Sequence, residues 1–310
     1  MILSVSRRTD IPAFYTEWFF NRLDEGYVLV RNPMNYHQVS KVPLTHDVID
    51  CIVFWTKDPS NILGKLDLLK KYSYYFQITI TPYDNKIERN VASKKKVIEA
   101  FQKLSTAIGK KKTVWRYDPI LFTDTIDLDY HARYFDILAE KLSDYTERCI
   151  ISFVDMYRKI ESKMKNINGT VVSNEDMIAL GKMLSSTARN YGLKLEACSE
   201  PADLSSIGIG KAKCIDTALI AEITGEDINV KKDQNQRHEC GCAASIDIGA
   251  YNTCKHGCLY CYANYSDKSV NGNIEKHDPK SPMLIGNIEA GDKVTYRKVE
   301  LHRENQLMFI

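Results

Sequence analysis

Three cysteines stand close together late in the chain, in the segment Asn252-Thr-Cys254-Lys-His-Gly-Cys258-Leu-Tyr-Cys261-Tyr-Ala-Asn264. Their spacing is C-x3-C-x2-C. Thiolates are the usual protein ligands of iron-sulfur clusters, and a loop this compact can wrap one corner of a cubane. Three thiolates leave one iron without a protein ligand, open to a small molecule. The same residues also allow zinc, which takes four ligands. His256 or Cys242 would then have to supply the fourth. An electron-transfer cluster would likewise need a fourth cysteine.

Four more cysteines invite a second site. Cys198 follows one apolar run, Cys214 opens the next helical pattern, and Cys240 and Cys242 precede the last apolar run. Together they could ligate an auxiliary [4Fe-4S] cluster or a zinc ion, or pack as four buried thiols. Cys51 and Cys149 lie inside apolar runs and read as core, because a free cysteine packs as a small hydrophobe.

Whole-chain properties narrow the setting. Nine cysteines in 310 residues, with an ordinary apolar fraction of 44%, suit a globular protein with metal or redox chemistry. Residues 1–10 have a short apolar start followed by two arginines, which is not a signal peptide. No apolar run approaches the roughly 20 residues that cross a bilayer. The expectation is a cytoplasmic protein with no membrane partner, whose thiols stay reduced. A net charge of +2, from 42 basic and 40 acidic side chains, argues neither for nor against a nucleic-acid partner.

The elements that must position these cysteines alternate. Short β-rich apolar runs fall at residues 2–6, 51–55, 75–81, 113–117, 149–154, 193–197 and 245–249, with an eighth candidate near 213–216. Helical stripes lie between them: Tyr15, Trp18, Phe19 and Leu23; Ile62, Leu66 and Leu69; Met177, Leu180, Met183 and Leu184. The last stripe opens with Ser173 and Asp176, a capping pair. Strand-helix alternation implies a parallel sheet. The strand count predicts a (βα) barrel, full or partial, over residues 1–264, with an open doubly wound sheet as the alternative. Residues 265–310, rich in turns and charge, read as an extension packed on the barrel.

In a barrel the chemistry sits just beyond the strand ends. Arg7, Arg8 and Asp10; Thr56, Lys57 and Asp58; Arg116, Tyr117 and Asp118; Asp155 and Tyr157; and Cys198 and Glu200 all occupy such places. They predict one polar mouth, in which Arg7, Arg8 and Arg116 could pair with a ligand carboxylate.

The three-cysteine segment resembles the radical S-adenosylmethionine (SAM) superfamily, which uses the same spacing. Its phrase Cys-x-His-Gly-Cys-x-Tyr-Cys-Tyr-Ala is especially similar to the branch containing spore photoproduct lyase. The resemblance implies a [4Fe-4S] cluster on Cys254, Cys258 and Cys261, with SAM on the open iron. It implies reductive cleavage of SAM to a 5′-deoxyadenosyl radical that abstracts hydrogen from a substrate. It sets Tyr260 near the adenine and matches Thr56-Lys57 to a strand-end pair whose lysine helps hold SAM. It also implies a small electron donor of the flavodoxin or ferredoxin type. In that superfamily the cysteine loop follows the first strand; here it follows the last, so the resemblance implies a circularly permuted barrel. The whole chain also resembles DUF1848, a family of unknown function. The lyase branch hints at a nucleic-acid substrate, although no interleaving of aromatic and basic residues supports one. The alternative is a non-catalytic iron-sulfur or zinc protein of electron transfer or nucleic-acid binding.

Overall fold

The computed structural model describes residues 1–302. In chain order its elements are β1 (Ile2–Val5), α1 (Ile11–Phe14), α2 (Thr16–Glu25), β2 (Tyr27–Arg31), β3 (Gln38–Pro43), β4 (Cys51–Thr56), β5 (Tyr74–Thr79), α3 (Lys94–Ile108), β6 (Thr113–Ile120), α4 (Leu128–Leu142), β7 (Arg148–Phe153), α5 (Glu161–Lys165), α6 (Asn174–Asn190), β8 (Lys194–Ala197), β9 (Gly210–Lys211), α7 (Thr217–Thr224), β10 (Ile246–Asp247), α8 (Asp267–Ile274) and β11 (Lys293–Tyr296).

Eight strands form one parallel sheet in the order β10-β1-β4-β5-β6-β7-β8-β9. Strands such as Cys-Ile-Val-Phe-Trp-Thr (β4) suit its middle, where both faces are covered and β-branched or aromatic side chains fill each one. The main core gathers Leu3, Phe54, Phe76, Trp115 and Ile151 from the sheet with Phe101, Phe135 and Leu184 from α3, α4 and α6. Side-chain oxygens cap α4, α6 and α7: Asp127 accepts from the Tyr130 amide, Ser173 from Asp176, and Asp216 from Ala218.

Three expectations are corrected. The sheet is not closed, because no ladder joins β9 to β10 among the described residues. Each of these edge strands has only two residues, and the chain bends around cysteines beside both. The flanking segments are spanned by the hydrogen bond from the Ala243 amide to the Ile215 carbonyl at 3.0 Å and by those from the Cys214 and Ile215 amides to Cys242 Sγ. The eighth strand lies at Gly210–Lys211 rather than at 213–216. The stripe of Ile62, Leu66 and Leu69 coils as a 3-10 helix over Leu63–Leu69.

A second sheet, β11-β3-β2, went unread in the sequence. It docks residues beyond 264 onto the N-terminal part of the chain. The Trp18 indole donates to the Ser281 carbonyl at 3.0 Å, and the Leu29 amide to the Pro282 carbonyl at 2.9 Å.

Tyr117 belongs to this core and not to the mouth. Its hydroxyl meets His131 Nδ1 at 2.8 Å, while His131 Nε2 lies 2.9 Å from the Leu121 carbonyl. His131 is wholly buried, and burial pulls its pKa from 6.5 down to about 4. Between those values the unfolded chain binds more protons than the folded one, so stability rises with pH. Acidifying from pH 6.5 to 4 should cost on the order of 3 kcal/mol through this residue. Urea midpoints measured across that window should fall more steeply for the native sequence than for His131→Leu; parallel curves would refute the assignment.

Candidate metal centre

Every strand of the large sheet runs the same way, so the segments leaving their carboxyl ends share one edge. The three-cysteine loop leaves β10, the strand beside β1. At its base the Asn252 amide donates to the Ala263 carbonyl at 2.9 Å, and Asn264 Nδ2 to the Cys254 carbonyl at 2.7 Å. The segment after β5 holds its outer side. The Asn90 amide donates to the His256 carbonyl, the Leu259 amide to the Ile87 carbonyl, and Arg89 Nε to the Gly257 carbonyl, all at 2.9–3.0 Å. Gly257 adopts φ +66°, a left-handed turn that a side chain would strain, and there the chain reverses between the first two cysteines. Below the loop, β10 and β1 approach so closely that a Cβ on Gly249 would collide with Ser6 Oγ. Asp247 joins the two strands, accepting from Ser4 and Ser6 hydroxyls at 2.7 and 2.6 Å and from the Arg7 amide at 2.8 Å.

Glu88 is the buried hub behind the loop. Its Oε1 accepts from Lys57 Nζ at 2.7 Å, from Thr81 Oγ1 at 2.6 Å and from the Tyr260 hydroxyl; its Oε2 accepts from Lys94 Nζ. Burial alone would raise the Glu88 carboxyl, but the two ammonium groups hold it down to about 2. The Lys57 ammonium lies 5.5 Å from the Tyr260 ring centroid and feels Cys258 electrostatically. Thr56 Oγ1 accepts from the Asp58 amide at 2.9 Å and so shapes the turn after β4.

Asp10 links three strand ends. Its Oδ2 accepts from the Lys57 amide and meets His256 Nε2, each at 2.7 Å, while Oδ1 caps α1 through the Ala13 amide. With Nε2 facing Asp10, His256 Nδ1 is buried without a protein partner, as is Asn264 Oδ1. A histidine bound to a carboxylate through one nitrogen and left open at the other is a common arrangement around metals.

The second cysteine set also comes together. Cys198 Sγ lies 3.3 Å from Cys214 Sγ, and Cys242 Sγ accepts from the Cys214 and Ile215 amides at 3.2 and 3.5 Å. Cys240 interacts with Cys242 and Ser199. Arg116 Nη1 donates to Cys214 Sγ at 2.9 Å and to Gln77 Oε1 at 2.7 Å, and its other nitrogens bind Asp118. Arg7 pairs with Asp233 and Asp247 and feels Cys242. Two of the three arginines read as ligand clamps, Arg7 and Arg116, thus have partners on this side of the sheet edge, and Arg8 lies against Asp247 and the Gly249 carbonyl. A cleft of about 200 Å³ lined by Ser199, Glu200, Lys211 and His238 opens beside the same set, and the three-cysteine loop contributes nothing to it. Burial pushes the Glu200 carboxyl up to about 7.

Cys254 and Cys258, in the three-cysteine loop, sit in surroundings that oppose their ionisation. Burial, then Cys261, Asp10 and Cys258, push the Cys254 thiol well above its usual range; burial pushes Cys258 up to about 12 despite Lys57. Thiols in such surroundings become thiolates only when a metal supplies compensating charge. Among the described residues, no three His, Cys, Asp or Glu side chains gather tightly enough for a single ion.

The family model for a domain of unknown function, DUF1848, matches residues 2–263. The chain belongs to the DUF1848 family. The matched span of DUF1848 includes both cysteine sets and Glu88. No curated protein matches the chain. A solved structure of a candidate alpha-L-fucosidase from Bacteroides thetaiotaomicron aligns with 70% of this chain and 80% of its own, at 10% identity. Its TM-score of 0.26 is too low to carry any argument about this DUF1848 chain.

Glu88, Asp10 and His256 were not singled out from sequence as a working group. In the sequence Asp10 reads as part of the mouth and His256 as a candidate fourth zinc ligand, but Glu88 lies nine residues past the end of β5 in a charged stretch without a motif.

Proposed function

We propose that this protein is a radical SAM enzyme built on a permuted, incompletely closed (βα) barrel. The observation that carries this reading is the three-thiol loop beyond β10, beside β1, with no fourth thiol in the loop. Cys254, Cys258 and Cys261 would hold a [4Fe-4S] cluster. When bound, such a cluster with an open iron supplies the electron that cleaves SAM to methionine and a 5′-deoxyadenosyl radical.

The chain's own groups have separable tasks. The neck at Asn252 and Ala263 and the clasp at Ile87–Asn90 hold the loop in shape. Lys57 keeps positive charge beside Cys258 and, with three N–H donors, has capacity beyond its bond to Glu88. Tyr260 and Tyr83, with ring centroids 5.9 Å apart, close the space behind Cys258 and exclude water. Asp10 holds His256 with one ring nitrogen free.

Reconstitution with iron and sulfide in the absence of oxygen, then dithionite and SAM, tests the reading. The reduced protein should give an axial electron paramagnetic resonance signal that changes when SAM is added, and 5′-deoxyadenosine should accumulate. A protein that takes up zinc but no iron, or whose signal ignores SAM, would exclude it.

A further inference from the structure

The second set of cysteines has an independent meaning. We propose that Cys198, Cys214, Cys240 and Cys242 form a closed four-thiolate site for one divalent metal ion of the zinc class, which staples the two open edges of the large sheet.

The ligands come from both sides of the gap. Cys198 directly follows β8 and Cys214 lies just beyond β9, at one edge; Cys240 and Cys242 precede β10, at the other. The hydrogen bond from Ala243 to Ile215, the Cys214 and Ile215 amides on Cys242 Sγ, and the contact of Cys240 with Ser199 join those edges at this point. An ion bound here would link segments that the backbone ladder leaves apart.

The sulfurs touch in sequence: Cys198 with Cys214 at 3.3 Å, Cys214 with Cys242, and Cys242 with Cys240. Around a tetrahedral ion with metal–sulfur bonds of about 2.3 Å, neighbouring sulfurs lie roughly 3.8 Å apart. The 3.3 Å between Cys198 and Cys214 is near the spacing around one ion. Among the described residues no three such side chains are already gathered as around an ion. Binding an ion would draw the sulfurs round it.

The surroundings match the charge. A divalent ion with four thiolates carries a net charge of −2. Arg116 lies 2.9 Å from Cys214 Sγ, and the Arg7 guanidinium acts on Cys242. Two backbone amides already point at Cys242 Sγ. Cys214, Cys240 and Cys242 are buried and Cys198 half-buried, so the site would be shielded from competing ligands.

The test separates this site from the three-cysteine loop. The full chain carrying Cys254→Ala, Cys258→Ala and Cys261→Ala is purified without oxygen and its metals are measured. About one zinc per chain should remain, and adding Cys198→Ser and Cys240→Ser should remove it. A folded triple variant without metal, or with a Cys198–Cys214 disulfide instead, would overturn the proposal. So would retained iron with acid-labile sulfide, which means a second cluster. If the variants fail to fold, zinc-edge X-ray absorption on the unaltered chain decides. Four sulfur scatterers at about 2.3 Å support the site; absence of zinc, or nitrogen and oxygen neighbours, refutes it. Failure of the SAM reading would leave this result unchanged.

Discussion

Cys258→Ala, purified without oxygen, is expected to lose the three-cysteine cluster and with it all SAM cleavage. The iron bound at that loop, about four atoms per chain, should disappear, because a cubane does not persist on two thiolates. The rate of 5′-deoxyadenosine formation should fall to background, a loss on the order of 10⁶-fold or more, since the cofactor carries the hard chemistry. The informative control is Cys51→Ala. Cys51 is also a fully buried cysteine outside any disulfide, but it lies within β4. Its replacement should cost only about 1 kcal/mol of stability, through a small cavity, with iron and turnover retained. If Cys258→Ala kept its iron and its product, the loop would not be the cluster site.

Glu88→Gln should produce the largest stability loss of any single change in the wall behind the loop. Glu88 is 2% exposed and neutralises both Lys57 and Lys94. The amide keeps the shape but removes the charge, leaving a buried Lys57 ammonium without its counterion. Breaking such a buried pair from one side costs about 3–5 kcal/mol. The double variant Glu88→Leu, Lys57→Met should recover part of that loss, because it leaves fewer charges stranded. Urea denaturation of the three proteins at pH 7 gives the comparison. A Gln variant within 1 kcal/mol of the unaltered protein would show that water reaches the cluster of charges and that Glu88 is not a buried hub.

The sequence displayed some of this because certain signals are local. The C-x3-C-x2-C spacing lies within eight residues, and the seven apolar runs coincide with strands because a parallel strand covered on both faces must be apolar throughout. Ser173 and Asp176 marked the start of α6 through contacts three residues apart. Signals that depend on distant partners were silent. Nothing near Glu88 announces that Lys57, Lys94, Thr81 and Tyr260 will converge on it. The strand β11 is mostly exposed, so it lacks the apolar pattern that marks the others. Closure of the sheet depends on whether two-residue strands meet across a gap, which strand counting cannot decide. Arg7 lies just past β1 as expected, but Arg116 is the fourth of the eight residues of β6, inside the strand; its partner Asp118 is two residues away, whereas Asp247, Asp233 and Cys214 come from elsewhere in the fold.

The pairing of β1 with β10 also sets a timetable. Ser4 and Asp247, joined by a hydrogen bond, are 243 positions apart. A ribosome adding roughly 5–20 residues per second needs about 12–50 s between making one and making the other. Through that interval the outer edge of β1, whose four residues are all destined for burial, waits without its neighbour. Such an edge attracts other chains until it is paired. The cysteine loop emerges only as that wait ends, after its clasp at Ile87–Asn90 and its anchor at Asp10 already exist. Under the proposed reading, metal delivery to the loop would therefore come late in the birth of this protein, and a chain broken off before residue 246 lacks the loop and its neighbouring strand together.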